Sequence, residues 1–238
     1  MMMAYTSRNP RSAEGESSPA TRDYELFAVH EAFHRFQDVE RRWQEAVRAI
    51  QLPEGRYPRN KRSAALAQLE DRILAQGTGA VSRERALQIV RRFVAVREAR
   101  EAVSAVVSRH DENQEKFEGV ARYVEGTYAQ HAPGPAVVGG RNRAELTEAW
   151  EFADEEPGYV REHLAFGRFY SSGAAVGNLL DRATGGTAWR TQMARTRQTP
   201  ADVAAGVAGG FDRAAALAAA KRQHDFAAIE QQIAGLTY

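Results

Sequence analysis

Cysteine is absent from the 238 residues, which excludes a thiolate nucleophile, a Cys-ligated metal and a disulfide framework together. No apolar run approaches the roughly 20 residues that a membrane span needs, and the mean hydropathy is −0.53. An excess of one charge sign is missing as well. The 32 basic and 31 acidic side chains leave a net charge of +1, with Lys and Arg spread along the chain, so the electrostatic footprint of a phosphate-gripping protein is lacking. The expectation is a soluble chain that partners neither nucleic acid nor membrane. Also missing is any sustained alternation of apolar and polar residues, the mark of a half-buried strand. What remains is a mainly α-helical chain, long enough to bury one good core.

Residues Met1 to Ala20 are rich in Ser, Arg, Glu and Pro. They contain neither an apolar segment nor a small-residue cleavage site, and so read as a disordered leader rather than a secretory signal. As written, the sequence implies a cytoplasmic protein; a start upstream of the triple methionine would allow a secreted one. Residues 21–238 are expected to form a single α-helical domain, with a possible internal seam at 132–141.

Punctuation by turn residues divides the domain. A first helix runs from Thr21 to about Ile50 and ends at Leu52-Pro53-Glu54-Gly55, with Phe27, Phe33, Phe36 and Trp43 expected in the core. A second covers Lys61 to Gln76, and a third opens at Ser82 and carries Leu87, Val90, Phe93, Val94 and Val96. A fourth starts near Asp111. Pro133-Gly134-Pro135 and Gly139-Gly140 then break the chain, and Asn142 to Glu145 has capping-box spacing for the next helix. Pro157-Gly158 restarts a helix that continues to about Arg182. Thr199-Pro200-Ala201-Asp202 combines an N-cap, a first-turn proline and an acidic third residue. It opens an Ala-rich tail read as two short helices broken at Gly209-Gly210.

Within the first helix lies His30-Glu31-Ala32-Phe33-His34, an H-E-x-x-H pattern. Residues i and i+4 share one helix face, so two imidazoles can converge on one ion while the intervening Glu reaches a water on that ion. Imidazole is a preferred zinc ligand, and a catalytic zinc keeps three protein ligands and one open position. Glu31 is then the general base. In a chain with six histidines, chance alone produces this pattern about one time in a hundred. The competing account is an amphipathic helix with two hydrogen-bonded histidines and a solvated Glu31.

Ala28 to Gln37 resembles the active-site helix of zincin metallopeptidases, and Phe117-Glu118-Gly119-Val120-Ala121-Arg122-Tyr123-Val124-Glu125 resembles the second helix of their gluzincin branch. The resemblance implies that His30 and His34 are zinc ligands, Glu31 the base and Glu118 the third ligand. A weaker likeness covers Arg168 to Ala175, where the family has a close-packing glycine-alanine face. The chain departs from the family in having only about twenty residues, with no strand pattern, before the H-E-x-x-H helix; the N-terminal sheet is reduced or missing.

The residues themselves leave choices open. A site with two neutral imidazoles needs an anionic oxygen or a further imidazole to hold an ion tightly. Glu118, Glu125, His110 and His163 all compete for that place, Glu125 also as a carboxylate orienting an imidazole N–H. Attack on an amide builds charge on its oxygen, for which Tyr170 and then His163 are the candidate donors. The expectation is a zinc-dependent hydrolase of a peptide or amide-containing small molecule. Two histidines and one carboxylate also suit Fe²⁺, as in non-heme iron oxygenases, so an iron-dependent oxidative enzyme is one alternative. A helical binding protein with a vestigial site is another.

Overall fold

The computed structural model describes residues 19–41, 43, 60–79, 81–131, 138–151, 157–195 and 197–236. Among these residues there is no strand, and the chain is mainly α-helical as expected. The helices are α1 (Pro19–Arg41), α2 (Lys61–Gln76), α3 (Arg83–Val103), α4 (Ala105–Gln114), α5 (Val120–His131), α6 (Val138–Glu151), α7 (Pro157–Glu162), α8 (Arg168–Thr184), α9 (Ala188–Arg195), α10 (Pro200–Ala208), α11 (Arg213–Gln223) and α12 (Phe226–Gly235). Two π-helical segments interrupt the α pattern. Glu115–Gly119 joins α4 to α5, and His163–Gly167 joins α7 to α8. No single described helix is long and apolar enough to cross a membrane.

Local chemistry explains the boundaries that were legible. Asn60 and Ser82 cap α2 and α3 by accepting from Ser63 N and Arg85 N. Thr199 and Asp202 form a complete reciprocal capping box at α10. Gly209, with φ +63°, ends α10 in a backbone conformation open to glycine.

Several boundaries differ from expectation. The helix expected near Asp111 begins at Ala105, six residues earlier. Gly139-Gly140 does not break the chain but lies inside α6, so Asn142 is an interior position rather than a cap. The tail forms three helices rather than two, the second break falling at His224-Asp225. There Asp225, in the left-handed region, caps α12 through Ala228 N. The leader, the expected stop at Leu52 to Gly55 and the Pro133 to Pro135 break lie outside the described residues.

α3 and α8 form the centre. α3 packs on α2, α4, α8, α10 and α11, while α8 packs on α3, α5, α6, α10 and the first π-segment. The close approach of α8 depends on small residues. A Cβ on Gly119 would lie 2.5 Å from Gly173 Cα, and one on Gly173 would lie 2.7 Å from the Glu115 carbonyl oxygen. Backbone touches backbone there, and only glycine fits on either side. α1 lies outermost, chiefly against α5. Phe27 on α1 is 54% exposed, a correction to its expected place in the core; Leu26 and Trp43 are buried.

The core is not purely apolar. Arg97 and Arg100 of α3 and Arg168 of α8 are buried with Glu70 and Asp71 of α2, Asp111 of α4 and Glu115 of the first π-segment. Arg97 makes two hydrogen bonds to Glu70 (2.9 and 3.1 Å) and two to Glu115 (3.0 and 2.9 Å). Arg168 reaches Asp71 (2.8 Å), Glu70 (3.0 Å) and Asp111 (3.1 Å), and Arg100 reaches Glu70 (3.1 Å) and Asp111. Ser172 donates to Glu115 (2.7 Å), and Trp150 Nε1 donates to Asp71 (3.0 Å). Three guanidinium groups thus face four carboxylates in a volume without bulk water.

Removing one member of such a network strands charge in low dielectric, which costs far more than losing an exposed pair. Arg168→Met should lower the unfolding free energy by about 3–5 kcal/mol. Arg213→Ala, which removes the exposed partner of Glu98, should change it by no more than about 1 kcal/mol. Urea denaturation of both variants checks the contrast.

The network also predicts acid sensitivity. Burial would raise the Asp71 pKa, but Arg168 and His163 outweigh it and lower it from 3.8 to about 2; Glu70 is lowered too, by Arg97, Arg100 and Arg168 against its burial. Because the folded pKa lies below the unfolded one, this stabilisation is complete above the unfolded value and is lost as pH falls through about 4 towards 2. Urea midpoints measured from pH 5 to pH 2 should fall steeply in that window, and Asp71→Asn should flatten the fall.

Candidate metal centre

The helix carrying His30-Glu31-Ala32-Phe33-His34 turns its two histidines inward against the first π-segment and α5, and Glu31 outward to solvent. His30 is buried and His34 nearly so. Their Nε2 atoms lie 2.9 Å apart. From the opposite side Glu118, the fourth residue of the π-segment, brings Oε2 to 3.4 Å from His30 Nε2 and 3.2 Å from His34 Nε2. A tetrahedral zinc with bonds of about 2.0–2.1 Å holds its ligands about 3.3 Å apart. The three observed separations bracket that value.

The outer nitrogens settle which atoms are free to coordinate. His34 Nδ1 lies 2.7 Å from Gln37 Oε1. The Gln37 amide nitrogen donates to two backbone carbonyls, Phe117 O at 2.9 Å and Lys116 O at 3.3 Å. That arrangement leaves the amide oxygen facing the ring, so His34 carries its proton on Nδ1. His30 Nδ1 faces the Glu125 carboxylate at 3.4 Å, so this nitrogen also carries its proton towards an acceptor outside the centre. Both Nε2 atoms and Glu118 Oε2 therefore face one another at the centre of the site. Two imidazole nitrogens and a carboxylate oxygen facing one another are a donor set that could hold a divalent cation once the imidazoles give up their inner proton. His30, His34 and Glu118 also form the one group among the described residues whose geometry could hold a metal ion.

The electrostatics show the same convergence. Burial would lower the His30 pKa, yet the carboxylates of Glu118 and Glu125 outweigh it and raise it from 6.5 to about 9. Burial would raise that of Glu118, and the two imidazoles outweigh it, lowering it from 4.5 to about 2. Glu125 is lowered as well, by His30 and Arg122 against its burial.

Glu125 stands behind His30 rather than beside Glu118. Its partner Arg122 donates to both its oxygens at 3.0 and 3.2 Å and to Glu145 at 2.7 Å, and Ser171 donates to the other Glu145 oxygen. The chain His30, Glu125, Arg122, Glu145 holds one ligand from behind, as outer carboxylates do at metal-binding histidines. Arg122 pairs with Glu125 and Glu145, so Glu118 stays available to the histidines.

Tyr170 of α8 completes one wall. Its ring stacks on His30 with centroids 5.7 Å apart; burial first and the nearby Glu118 carboxylate second raise its pKa, with a further contribution from Glu31. Phe117 stacks on His34 at 4.3 Å.

Other expected candidates lie elsewhere. His163 packs edge-on to Trp150 and lies 3.2 Å from Asp71 in the buried ionic network. It is neither a third ligand nor an oxyanion donor. His110 packs edge-on to Phe169 and is not in the triad. Gln37 has a place at the site that the sequence reading did not assign. The available signal was its position three residues after His34, which puts both on one helix face.

No protein-family model matches the chain, and no curated protein or solved structure matches it significantly, so the reading of this centre rests on its own residues.

Proposed function

We propose that the chain is a zinc-dependent hydrolase of the zincin type, cleaving a peptide or another amide bond. The observation that carries this reading is the convergence of His30 Nε2, His34 Nε2 and Glu118 Oε2, with the outer Nδ1 of each imidazole facing a hydrogen-bond acceptor. When bound, zinc supplies Lewis acidity: it polarises a carbonyl and brings the pKa of a coordinated water near 7.

The chain's own residues supply the rest. Glu31, adjacent to the first ligand and open to solvent, accepts the proton of the attacking water and delivers it to the leaving nitrogen as the C–N bond breaks. Tyr170 keeps its proton across the neutral range and offers it as a hydrogen bond to the oxygen on which negative charge develops. Glu125 and Arg122 hold His30, so that little reorganisation accompanies the reaction. The exposed flank of α1, where Glu31 lies, is the side from which substrate enters.

Metal analysis by inductively coupled plasma mass spectrometry on untagged protein tests the ligand set. Near-stoichiometric zinc is expected in the wild type, with strong loss in His30→Ala and Glu118→Ala. Iron in place of zinc would redirect the assignment to oxidative chemistry on the same triad, and no metal after reconstitution would leave a helical binding protein.

A second experiment separates ligand from base. Glu31→Gln should retain its metal while hydrolysis of a fluorogenic peptide library falls by about 10²–10⁴-fold. Undiminished hydrolysis in that variant would remove Glu31 from the mechanism.

A further inference from the structure

We infer that Gln37 is a positioning residue that ties the second metal ligand to the third through one side chain. This inference rests on the metal-centre reading and goes beyond it. The Gln37 side chain is fully buried, lies between α1 and the first π-segment, and uses both ends of its amide. The oxygen accepts from His34 Nδ1 at 2.7 Å, and the nitrogen donates to Phe117 O at 2.9 Å and Lys116 O at 3.3 Å. Those two carbonyls belong to the two residues immediately before Glu118.

The physical reason such a tie is needed lies in the backbone. A π-segment has a wider hydrogen-bond register than the flanking α-helix, occurs as single turns and is commonly found at functional sites. Relaxing Glu115–Gly119 to the α register would turn the residues that follow by roughly 100° about the helix axis relative to those before it. Glu118 would then no longer face His30 and His34. Three contacts oppose that change. Arg97 and Ser172 hold Glu115 at the start of the segment. The Gly119–Gly173 backbone contact holds its end. Gln37 holds the middle, and it alone of the three also touches a ligand. It fixes the tautomer of His34 and the register of Glu118 together, so each ligand is in place when the other is.

Two variants and two readouts test this. Gln37→Leu keeps an apolar side chain of similar length and loses both ends of the amide. Gln37→Glu keeps an acceptor for His34 and is the conservative rescue. The first readout is zinc affinity, measured by competition with a chromophoric chelator. The second is the His34 Nδ1 proton, followed by nitrogen-correlated NMR in metal-free protein, a signal that a general loss of stability would not shift selectively.

The wild type is expected to show a slowly exchanging, downfield Nδ1 proton. Gln37→Leu should lose that protection and bind zinc about 10–100-fold more weakly, the range typical of groups behind metal ligands. Gln37→Glu should keep the protected proton and recover part of the affinity. Unchanged zinc affinity in Gln37→Leu, with a metal-binding wild type, overturns the positioning role and leaves the metal reading intact. Failure of the wild type itself to bind zinc overturns the metal reading and the role of Gln37 with it. If Gln37→Leu does not fold, equal affinity and an unprotected proton in Gln37→Glu would overturn the inference by themselves.

Discussion

The Arg97 guanidinium, buried between Glu70 and Glu115, is the interaction on which the rest of the arrangement depends. It lies at the join of three elements: α2 through Glu70, its own α3, and the first π-segment through Glu115. A guanidinium without water needs its donors satisfied and its charge met. Two bidentate carboxylates do both, and in doing so they fix where the π-segment begins. Because Glu118 is three residues further on, its position facing the two histidines is set from inside the protein.

This explains why a small helical domain carries so costly a core. Burying ion pairs is weak evidence for stability, since apolar replacements of similar volume often stabilise as well or better. Their geometry, however, is directional in a way that apolar packing is not. Arg168 has to reach Asp71, Glu70 and Asp111 at once, and Ser172 and Arg97 have to reach Glu115. Few relative placements of α2, α3, α4 and α8 satisfy all of these contacts. The close contact of Gly119 with Gly173 then places α8, and with it Tyr170, beside the centre. The interior behaves as a jig, and the candidate metal centre of His30, His34 and Glu118 lies at its edge, where α1 presents Glu31 to solvent.

Much of the helix plan was legible because its signals are local. Ser82, Thr199-Pro200-Asp202 and Gly209 act on neighbouring backbone groups, and the structure places helix ends at each. The H-E-x-x-H pair was legible for the same reason, since helix periodicity alone puts His30 and His34 on one face. Errors arose where packing overrode local preference. Gly139-Gly140 has the composition of a break yet lies within α6, and helix propensity is only a weak prior against tertiary context. Phe27 looked like core by residue type, but it lies on the exposed face of α1. No local signal marks the charges at 70, 71, 97, 100, 111, 115 and 168 as buried, and no spacing rule marks them as partners across four helices.

By itself the sequence determined the helical class, the helix starts at Ser82 and Thr199 and a pair of histidines with an adjacent carboxylate on one helix, because these depend on residues within a few positions of one another. Only the tertiary structure decided that Glu118 faces both Nε2 atoms, that Glu125 stands behind His30, that Gln37 bridges α1 and the π-segment, and that His163 belongs to the interior. Those outcomes depend on the register of a π-turn and on ion pairs between residues up to 98 positions apart. Such long-range geometry is fixed by simultaneous packing and charge balance, which no local pattern encodes.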